Sequence, residues 1–238
     1  MARRLVVGGV PVDVVFKEIK NVHLSVYPPS GRVRISAPSR MKLDTIRVFA
    51  ISRLSWIRRQ RKKLQEQERE PRRQYVDRES HWVWGTRYLL EVAERDQPPI
   101  IKLRRHRIIL GVRAGANTAM KDEIVSRWYR ELVKSAANEL VAKWESILGV
   151  EAKGVLVRRM KTKWGSCNPG TRTIRLNTEL GKKPPECLEY IVVHEMIHVR
   201  EPKHGAAFVT LMDRFLPGWE IRRQTLNRLP IRHADWDY

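Results

Sequence analysis

Residues 194–204 read HEMIHVREPKH, a stretch that holds three of the seven histidines in the chain. His194 and His198 are four residues apart, so in an α-helix their imidazoles lie on one face with Cβ atoms roughly 5–6 Å apart. Two nitrogens placed in this way can bind one zinc ion at about 2.0–2.1 Å. Glu195 points about 100° away around the helix. This direction suits a carboxylate that acts as general base on a water molecule and does not bind the metal.

A zinc site that keeps one position open needs a third protein ligand. Pro202 disfavours helical backbone at Glu201 and cannot donate a helical hydrogen bond, so the chain should leave the helix here and turn back. His204 follows two residues later, and we predict it as the third ligand. Four other side chains offer donor atoms and remain alternatives: Cys167, Cys187, Glu201 and Asp213.

A buried helix that carries histidines without any metal is the structural alternative to this site. Three neutral imidazoles buried together would need hydrogen-bond partners, since burying a polar group without one costs free energy. The apolar residues LEYIVV at 188–193 also suit a buried helix immediately before the histidines. The pattern therefore favours a metal site.

The remaining chain alternates between strand and helix patterns, without an internal repeat. Residues 5–37, 75–113 and 155–180 contain short apolar runs punctuated by Gly or Pro, which predicts strands. Residues 42–70 and 120–148 have apolar residues at helical spacing. The predicted buried stripe of the second helix comprises Ile124, Trp128, Leu132, Ala136, Leu140 and Trp144.

Two further helices are predicted near the C-terminus. One begins after Pro184-Pro185 and runs to about Arg200, because proline suits the first turn of a helix. A last helix is predicted at 205–215. With 238 residues, of which 42% are hydrophobic, the chain can bury the core of one domain or of two small ones.

The charge of the chain is strongly positive, with 47 Lys and Arg against 26 Asp and Glu and a formal net charge of +21. Such a field attracts polyanions, so contact between the basic surface and nucleic acid is a hypothesis that rests on charge alone. The basic run at 58–73 either is a solvated helix end and linker or contacts a phosphate backbone.

The number of cysteines and the pattern of apolar residues indicate in which cellular compartment the protein is expected. A disulfide framework is not expected from two cysteines. No uncharged apolar run approaches roughly 18 residues, so no membrane partner is expected. Gly8, Gly9 and Pro11 interrupt the apolar residues near the start, which argues against a signal peptide. The predicted location is the cytoplasm.

Two segments, RRMKTKWGSCNPGTRTIRLNTEL at 158–180 and PPECLEYIVVHEMIHVREPKHGAAFVTLMDRFLPGW at 184–219, resemble the YgjP-like metallopeptidase domain. This family belongs to the zincins and is related to SprT-type proteases. The resemblance implies zinc as cofactor, His194, His198 and His204 as its ligands, and Glu195 as catalytic base. It also implies a protein or peptide substrate, and the DNA association of relatives suggests a nucleic-acid partner.

The fold expected from the patterns and the resemblance is α+β. A β-rich region with one helix is expected over 1–115, followed by a helical, zincin-like catalytic region over 116–238. Trp164 and Cys167 of the WGSC segment pack under the metal helix, or else the backbone of 164–168 and 173–177 lines a cleft in which a peptide adds as a strand. An additional oxyanion-stabilising residue is expected, and Tyr190, Arg200 and Arg214 are its candidates.

Two other functions remain as alternatives. One is a basic nucleic-acid-binding protein with a structural zinc site, but such sites usually have four protein ligands, often thiolates. The other is a metal-dependent hydrolase of nucleic acid, whose metals are usually held by carboxylates. Three histidines beside a free glutamate favour a zinc-dependent metallopeptidase over both.

Overall fold

The computed structural model describes residues 2–27, 30–66, 70–160 and 163–230. These residues form two compact units that divide between Glu70 and Pro71. The boundary predicted near residue 115 falls inside the second unit, just before its longest helix. Helices and three small sheets make up the two units, which confirms the predicted α+β class.

The first unit is a four-stranded sheet followed by two helices. Its elements are β1 (Ala2–Val7), β2 (Val10–Lys17), β3 (His23–Tyr27), β4 (Arg32–Pro38), α1 (Leu43–Ser52) and α2 (Leu54–Glu66). The strand order is β1-β2-β4-β3, with β2 and β4 parallel and both outer pairs antiparallel. The single helix predicted at 42–70 is divided at Arg53, whose φ of −104° and ψ of 5° interrupt the helix.

The second unit begins with a sheet of the same topology. Its strands are β5 (Ser80–Val83), β6 (Thr86–Glu94), β7 (Ile100–Arg104) and β8 (Arg107–Val112). Their order is β5-β6-β8-β7, again with a parallel central pair and antiparallel outer pairs. The two sheets therefore repeat one arrangement of two hairpins, although the sequence shows no internal repeat.

The rest of the second unit carries the histidines. Its elements are α3 (Thr118–Leu148), β9 (Gly154–Arg158), β10 (Gly165–Asn168), β11 (Thr173–Asn177), a 3₁₀ turn (Thr178–Lys182), α4 (Pro185–Ile197), α5 (Ala206–Phe215) and α6 (Trp219–Arg228). The sheet order is β10-β11-β9, so β11 is central and β10 lies at an edge. The sequence analysis did not predict α6.

Helix α3 buries a different stripe from the predicted one. Its buried residues are Val125, Tyr129, Val133, Ala137, Val141, Trp144 and Leu148. The predicted stripe lies one position earlier and, except for Trp144, is only partly buried. The reason is that both stripes are apolar and α3 contributes to two core clusters, one with the β5–β8 sheet and one with α4. Among the described helices, none is long and apolar enough to span a membrane.

Candidate metal centre

Helix α4 positions the first two histidines. Pro185 occupies its first turn, and the helix is buried along most of its length, which fixes its place in the core. His194 lies in the last turn, and His198 is the C-terminal cap. The helix ends three residues before the predicted Arg200. The amide of Arg200 bonds the carbonyl of Ile197 at 2.9 Å, a tighter turn that starts the chain on its way back to the helix.

The structure brings the three predicted histidines together. Nε2 of His204 lies 3.0 Å from Nε2 of His194 and 3.1 Å from Nε2 of His198. Ligands about 2.0–2.1 Å from a tetrahedral ion are separated by about 3.3 Å, so this spacing suits three ligands of one metal. The ligand atoms of the three residues lie within 4.8 Å of one another. The predicted alternatives do not belong to this group: Cys167, Cys187, Glu201 and Asp213.

Neighbouring groups hold the imidazoles in this arrangement. Nδ1 of His198 lies 3.0 Å from the carbonyl oxygen of Glu201. When Nδ1 donates to that carbonyl, the lone pair of Nε2 is left for a metal. Phe208, a buried residue of α5, has its ring centroid 4.8 Å from the centroids of all three imidazoles. Helix α5 therefore supports the whole group from one side.

The pKa values of His194 and His204 are lowered, which favours the neutral imidazole that binds metals. Burial lowers the pKa of His194 to about 3, and the charges of His198, His204 and Arg223 act in the same direction. Burial, together with the charges of His198 and Arg223, also lowers the pKa of His204. A neutral imidazole offers a lone pair to a cation at pH 7 without first losing a proton.

Glu195 lies next to this group and is 5% exposed. Burial raises the pKa of its carboxyl to about 7, while the charge of Lys163 and a hydrogen bond donated by the backbone amide of Cys167 act against this rise. A carboxylate whose pKa lies near the working pH is suited to accept and return a proton.

The WGSC segment supplies the backbone that faces Glu195. Gly165 is in β10, and a Cβ added to it would lie 2.7 Å from Oε1 of Glu195 and 2.8 Å from Cγ2 of Ile191. The segment also packs through Trp164, which is partly buried against the core that contains α4. Of the two segments predicted to line a cleft, only β10 has an edge that no described strand pairs with, because β11 pairs on both sides.

The cysteines are protonated thiols at neutral pH. Burial, aided by the charge of Glu195, raises the pKa of Cys167 to about 11. Burial raises the pKa of Cys187 to about 11 as well. Neither thiol belongs to the group of described residues that could hold a metal ion, so the donor set at this site consists of imidazoles.

A family model described as YgjP-like, metallopeptidase domain matches residues 20–229. The chain belongs to the YgjP-like metallopeptidase family. This membership confirms the resemblance and establishes the chain as a metallopeptidase domain, for which a bound metal ion is expected.

Two solved structures resemble parts of this YgjP-like domain. The metallopeptidase zymogen abylysin of Pyrococcus abyssi is 22% identical, with a TM-score of 0.35, over 40% of this chain and 98% of that chain. The metallopeptidase zymogen jannalysin of Methanocaldococcus jannaschii is 28% identical, with a TM-score of 0.32, over 40% of this chain and 90% of that chain. A comparison with curated proteins gave no significant match.

Glu189 connects the metal-site helix of the YgjP-like domain to its neighbours. One of its carboxylate oxygens accepts from Lys143 Nζ at 2.8 Å and from Trp144 Nε1 at 3.2 Å. The other lies 3.9 Å from the guanidinium of Arg222. Since these partners are on α3 and α6, a single carboxylate ties both helices to α4.

Helix α6, which the sequence analysis did not predict, packs an aromatic ring against the metal-site helix. Trp219, the first residue of α6, stacks on Tyr190 with a centroid distance of 6.1 Å, and Tyr190 lies 5.8 Å from His194. Cζ of Arg223 is 5.9 Å from the centre of the Trp219 ring. A sequence signal existed in Trp219 and Leu226, both buried and two helical turns apart. The charged residues between Trp219 and Leu226 obscured this helical spacing.

Each predicted candidate for oxyanion stabilisation makes contacts with other residues of the chain. The guanidinium of Arg200 donates to the carbonyl of Leu148 at 3.0 Å, at the end of α3. Arg214 lies over the ring of Phe215 at 5.2 Å. Tyr190 is 5% exposed between the rings of Trp219 and His194.

Proposed function

We propose that this YgjP-like domain is a zinc-dependent peptidase in which His194, His198 and His204 bind zinc and Glu195 is the general base. The convergence of the three Nε2 atoms, with separations of 3.0 and 3.1 Å, is the observation that carries the proposal. Three protein ligands leave a fourth position open, as in catalytic zinc sites. A structural site would require a fourth protein ligand, and both cysteines lie outside the group.

In the proposed peptide hydrolysis, the metal ion, Glu195 and the backbone of Cys167 have different roles. Zinc, when bound, supplies Lewis acidity for the scissile carbonyl and lowers the pKa of a coordinated water. Glu195 accepts a proton as the water oxygen attacks the carbonyl carbon, and returns it to the leaving amine nitrogen. The amide of Cys167 holds the carboxylate in place through this exchange.

The substrate we propose is an extended protein or peptide segment. Strand β10 lies beside Glu195 at the edge of its sheet, with no further strand paired to it among the described residues, and extended peptides bind such edges through main-chain hydrogen bonds. This mode recognises backbone in preference to particular side chains, so we expect unstructured segments to be cleaved before folded ones.

Glu195→Gln tests the proposal most simply. The amide keeps the shape of the side chain but cannot accept a proton, so zinc-loaded Glu195→Gln should cleave an unfolded protein such as reduced casein about 10²–10⁴-fold more slowly. The matched control is Glu186→Gln, an exposed glutamate in the first turn of the same helix. Activity in Glu195→Gln equal to that of the control would exclude Glu195 as the base.

We also propose that the first unit binds nucleic acid through its basic surface. Residues 1–66 contain fifteen lysines and arginines but only four acidic residues, Asp13, Glu18, Asp44 and Glu66. Helix α2 exposes Arg58, Arg59 and Lys62 beside Trp56, which is 39% exposed. Positive charges beside an accessible aromatic ring suit a phosphate backbone and a stacked base.

Binding of a labelled 20-nucleotide single strand to the full chain, followed by fluorescence anisotropy, tests this second proposal. We expect Kd to rise steeply with salt, and Arg59→Glu/Lys62→Glu to weaken binding by about tenfold or more. Lys134→Glu/Lys153→Glu makes the same charge change at exposed positions of the second unit and serves as control. Equal losses in both variants would show that net charge, and not helix α2, determines binding.

A further inference from the structure

We infer that the solvent-facing side of the β5–β8 sheet binds single-stranded nucleic acid. The inference goes beyond the proposed peptidase function and is separate from the basic surface proposed on the first unit, because this sheet belongs to the second unit. It is carried by an exposed tryptophan and by basic side chains that the strand register places on the same face.

The register divides the sheet into a buried face and an outer face. Alternate residues of a strand point to opposite faces, and residues paired across two strands share a face. Val83, Leu90, Ile108 and Leu110 lie on one face, are at most 2% exposed, and pack in a core cluster with residues of α3. The opposite side, called the outer face below, includes Trp82, Arg87, Leu89, Lys102, Arg104 and Arg107.

Trp82 presents an aromatic ring on the outer face. Its side chain belongs to a residue that is 42% exposed. The backbone of Trp82 is held in place, because its carbonyl oxygen accepts a hydrogen bond from the hydroxyl of the buried Tyr129 at 2.6 Å. Leu89 on the next strand is 37% exposed and adds apolar surface. An exposed ring on a fixed strand can stack on a base of any identity.

The charge of the outer face is positive. Arg87, Lys102, Arg104 and Arg107 are all exposed, whereas Glu91 is the one acidic residue on this face of the four strands, each of which the structure describes in full. Four positive charges against one negative charge give a formal net charge of +3. The side chains of Lys102 and Arg104 make no hydrogen bond or ion pair with the described residues, so both are available to phosphates.

Two arginines lie directly opposite each other where β7 turns into β8. Arg104 pairs with Arg107 in the register, and like charges at opposed positions repel and destabilise a sheet. Glu91 lies 3.0 Å from Arg107 and offsets the charge of that arginine alone. Arg105 in the turn has a φ of 47°, a conformation that is uncommon for residues other than glycine. A phosphate between the two guanidinium groups would offset the repulsion, so we expect the nucleic-acid backbone to bind at this hairpin.

A single strand fits these features better than a duplex or an acidic protein does. The bases of a duplex are stacked on each other, so they offer no free face to Trp82. An acidic protein offers carboxylates to the basic side chains but no base to the ring. Four strands about 4.8 Å apart span about 14 Å, which suits a few nucleotides, and four-stranded sheets with exposed aromatic rings bind single-stranded RNA in the same way.

The first test measures binding of labelled 20-nucleotide RNA and DNA single strands to the full chain by fluorescence anisotropy. Trp82→Ala should weaken binding about 5- to 150-fold, the usual effect of losing one stacked base. Trp82→Phe keeps a ring that can stack and should stay close to wild type. Leu156→Ala is the control, because it removes an exposed apolar side chain from a different sheet of the same unit and should bind normally.

The second test measures how binding depends on salt. Each phosphate contact with a single strand contributes about 0.7 to the slope of log K against log salt concentration, so Lys102→Gln/Arg104→Gln should reduce the slope by about 1.4. Lys134→Gln/Lys153→Gln removes the same charge from exposed positions elsewhere in the unit and should leave the slope unchanged.

Several results would overturn the inference. Trp82→Ala that binds as tightly as wild type, or a slope that Lys102→Gln/Arg104→Gln leaves unchanged, would exclude the outer face as the binding surface. Duplex that binds as tightly as the single strand, or poly-glutamate that displaces the strand at equal charge concentration, would show a surface for polyanions in general. If Arg59→Glu/Lys62→Glu weakens binding and Trp82→Ala does not, only the proposal for the first unit survives, whereas a wild type that binds no strand removes both.

Discussion

Gly165 lies directly against the side chain of Glu195. A Cβ built on Gly165 would be 2.7 Å from Oε1 and 2.9 Å from Cγ of the glutamate, closer than any ordinary contact. The absence of a side chain at this position therefore allows strand β10 to approach helix α4. The close approach also lets the amide of Cys167 donate to the same carboxylate.

Gly165→Ala should displace Glu195 and slow peptide hydrolysis, because the new methyl group competes for the space of the carboxylate. We expect a loss of about 10²-fold or more, since a misplacement of about 1 Å can cost this much. Zinc content should not change. Steady-state kinetics and metal analysis of the same preparation provide the measurement.

Gly154→Ala is the control for this experiment. Gly154 is in β9 of the same sheet, and a Cβ added there meets nothing within 4 Å. It should retain wild-type activity. If the two alanine variants were equally active, the contact between Gly165 and Glu195 would have no role in positioning the base.

Phe208→Leu should weaken zinc binding. The phenyl ring contacts all three imidazoles at 4.8 Å, and a smaller side chain would leave them free to change orientation. Losses of outer contacts to metal ligands typically reduce affinity 10–100-fold, which a competition titration with a chromophoric chelator can measure. Phe215→Leu on the same helix is the control, because among the described ring contacts the histidines meet Phe208 and not Phe215. Equal zinc affinities in the two variants would contradict the supporting role of Phe208.

The contribution of Glu189 to stability should depend on pH. Burial alone raises the pKa of Glu189, but hydrogen bonds from Lys143 and Trp144 and the charges of Lys143 and Arg222 outweigh it, so the pKa lies below its ordinary value. A carboxyl with a lowered pKa in the folded state stabilises the fold above its unfolded pKa of about 4.3. This stabilisation is lost as the pH falls through the folded pKa.

Glu189→Gln should therefore reduce the free energy of unfolding by about 1–3 kcal/mol at pH 7. The difference from wild type should begin to shrink as the pH falls below the unfolded pKa of about 4.3, and should be lost once the pH is below the lowered folded pKa, where the wild-type carboxyl is also neutral. Urea denaturation at a series of pH values measures both. Glu186→Gln, at an exposed position of the same helix, should show little difference at any pH. A deficit for Glu189→Gln that stays constant down to pH 3 would refute the ion-pair explanation.

The parts of the site that sequence analysis could predict depend on local spacing. The separation of His194 and His198 by one helical turn, and the break at Pro202 before His204, follow from the geometry of one short segment. The approach of Gly165 to Glu195 joins segments 30 residues apart through sheet packing. Nothing in the spacing around Gly165 signals this contact, although the WGSC motif drew attention to the segment.

Other differences between prediction and structure have similar causes. Helix α3 has two neighbouring apolar stripes, and only the positions of the surrounding clusters decide which is more buried. Helix α6 was missed because its charged residues dominate the pattern, although Trp219 and Leu226 anchor it to the core.

The most direct test of the account is the zinc content of the purified full chain, compared with that of His204→Ala. We predict one equivalent of zinc per chain in the wild type and a large loss in His204→Ala, because two imidazoles alone leave the ion with too few protein ligands. His106→Ala, which removes an exposed histidine between β7 and β8, should retain full zinc. A wild-type chain that binds no zinc even when refolded with it, or a His204→Ala variant that binds as much as wild type, would contradict the three-histidine centre.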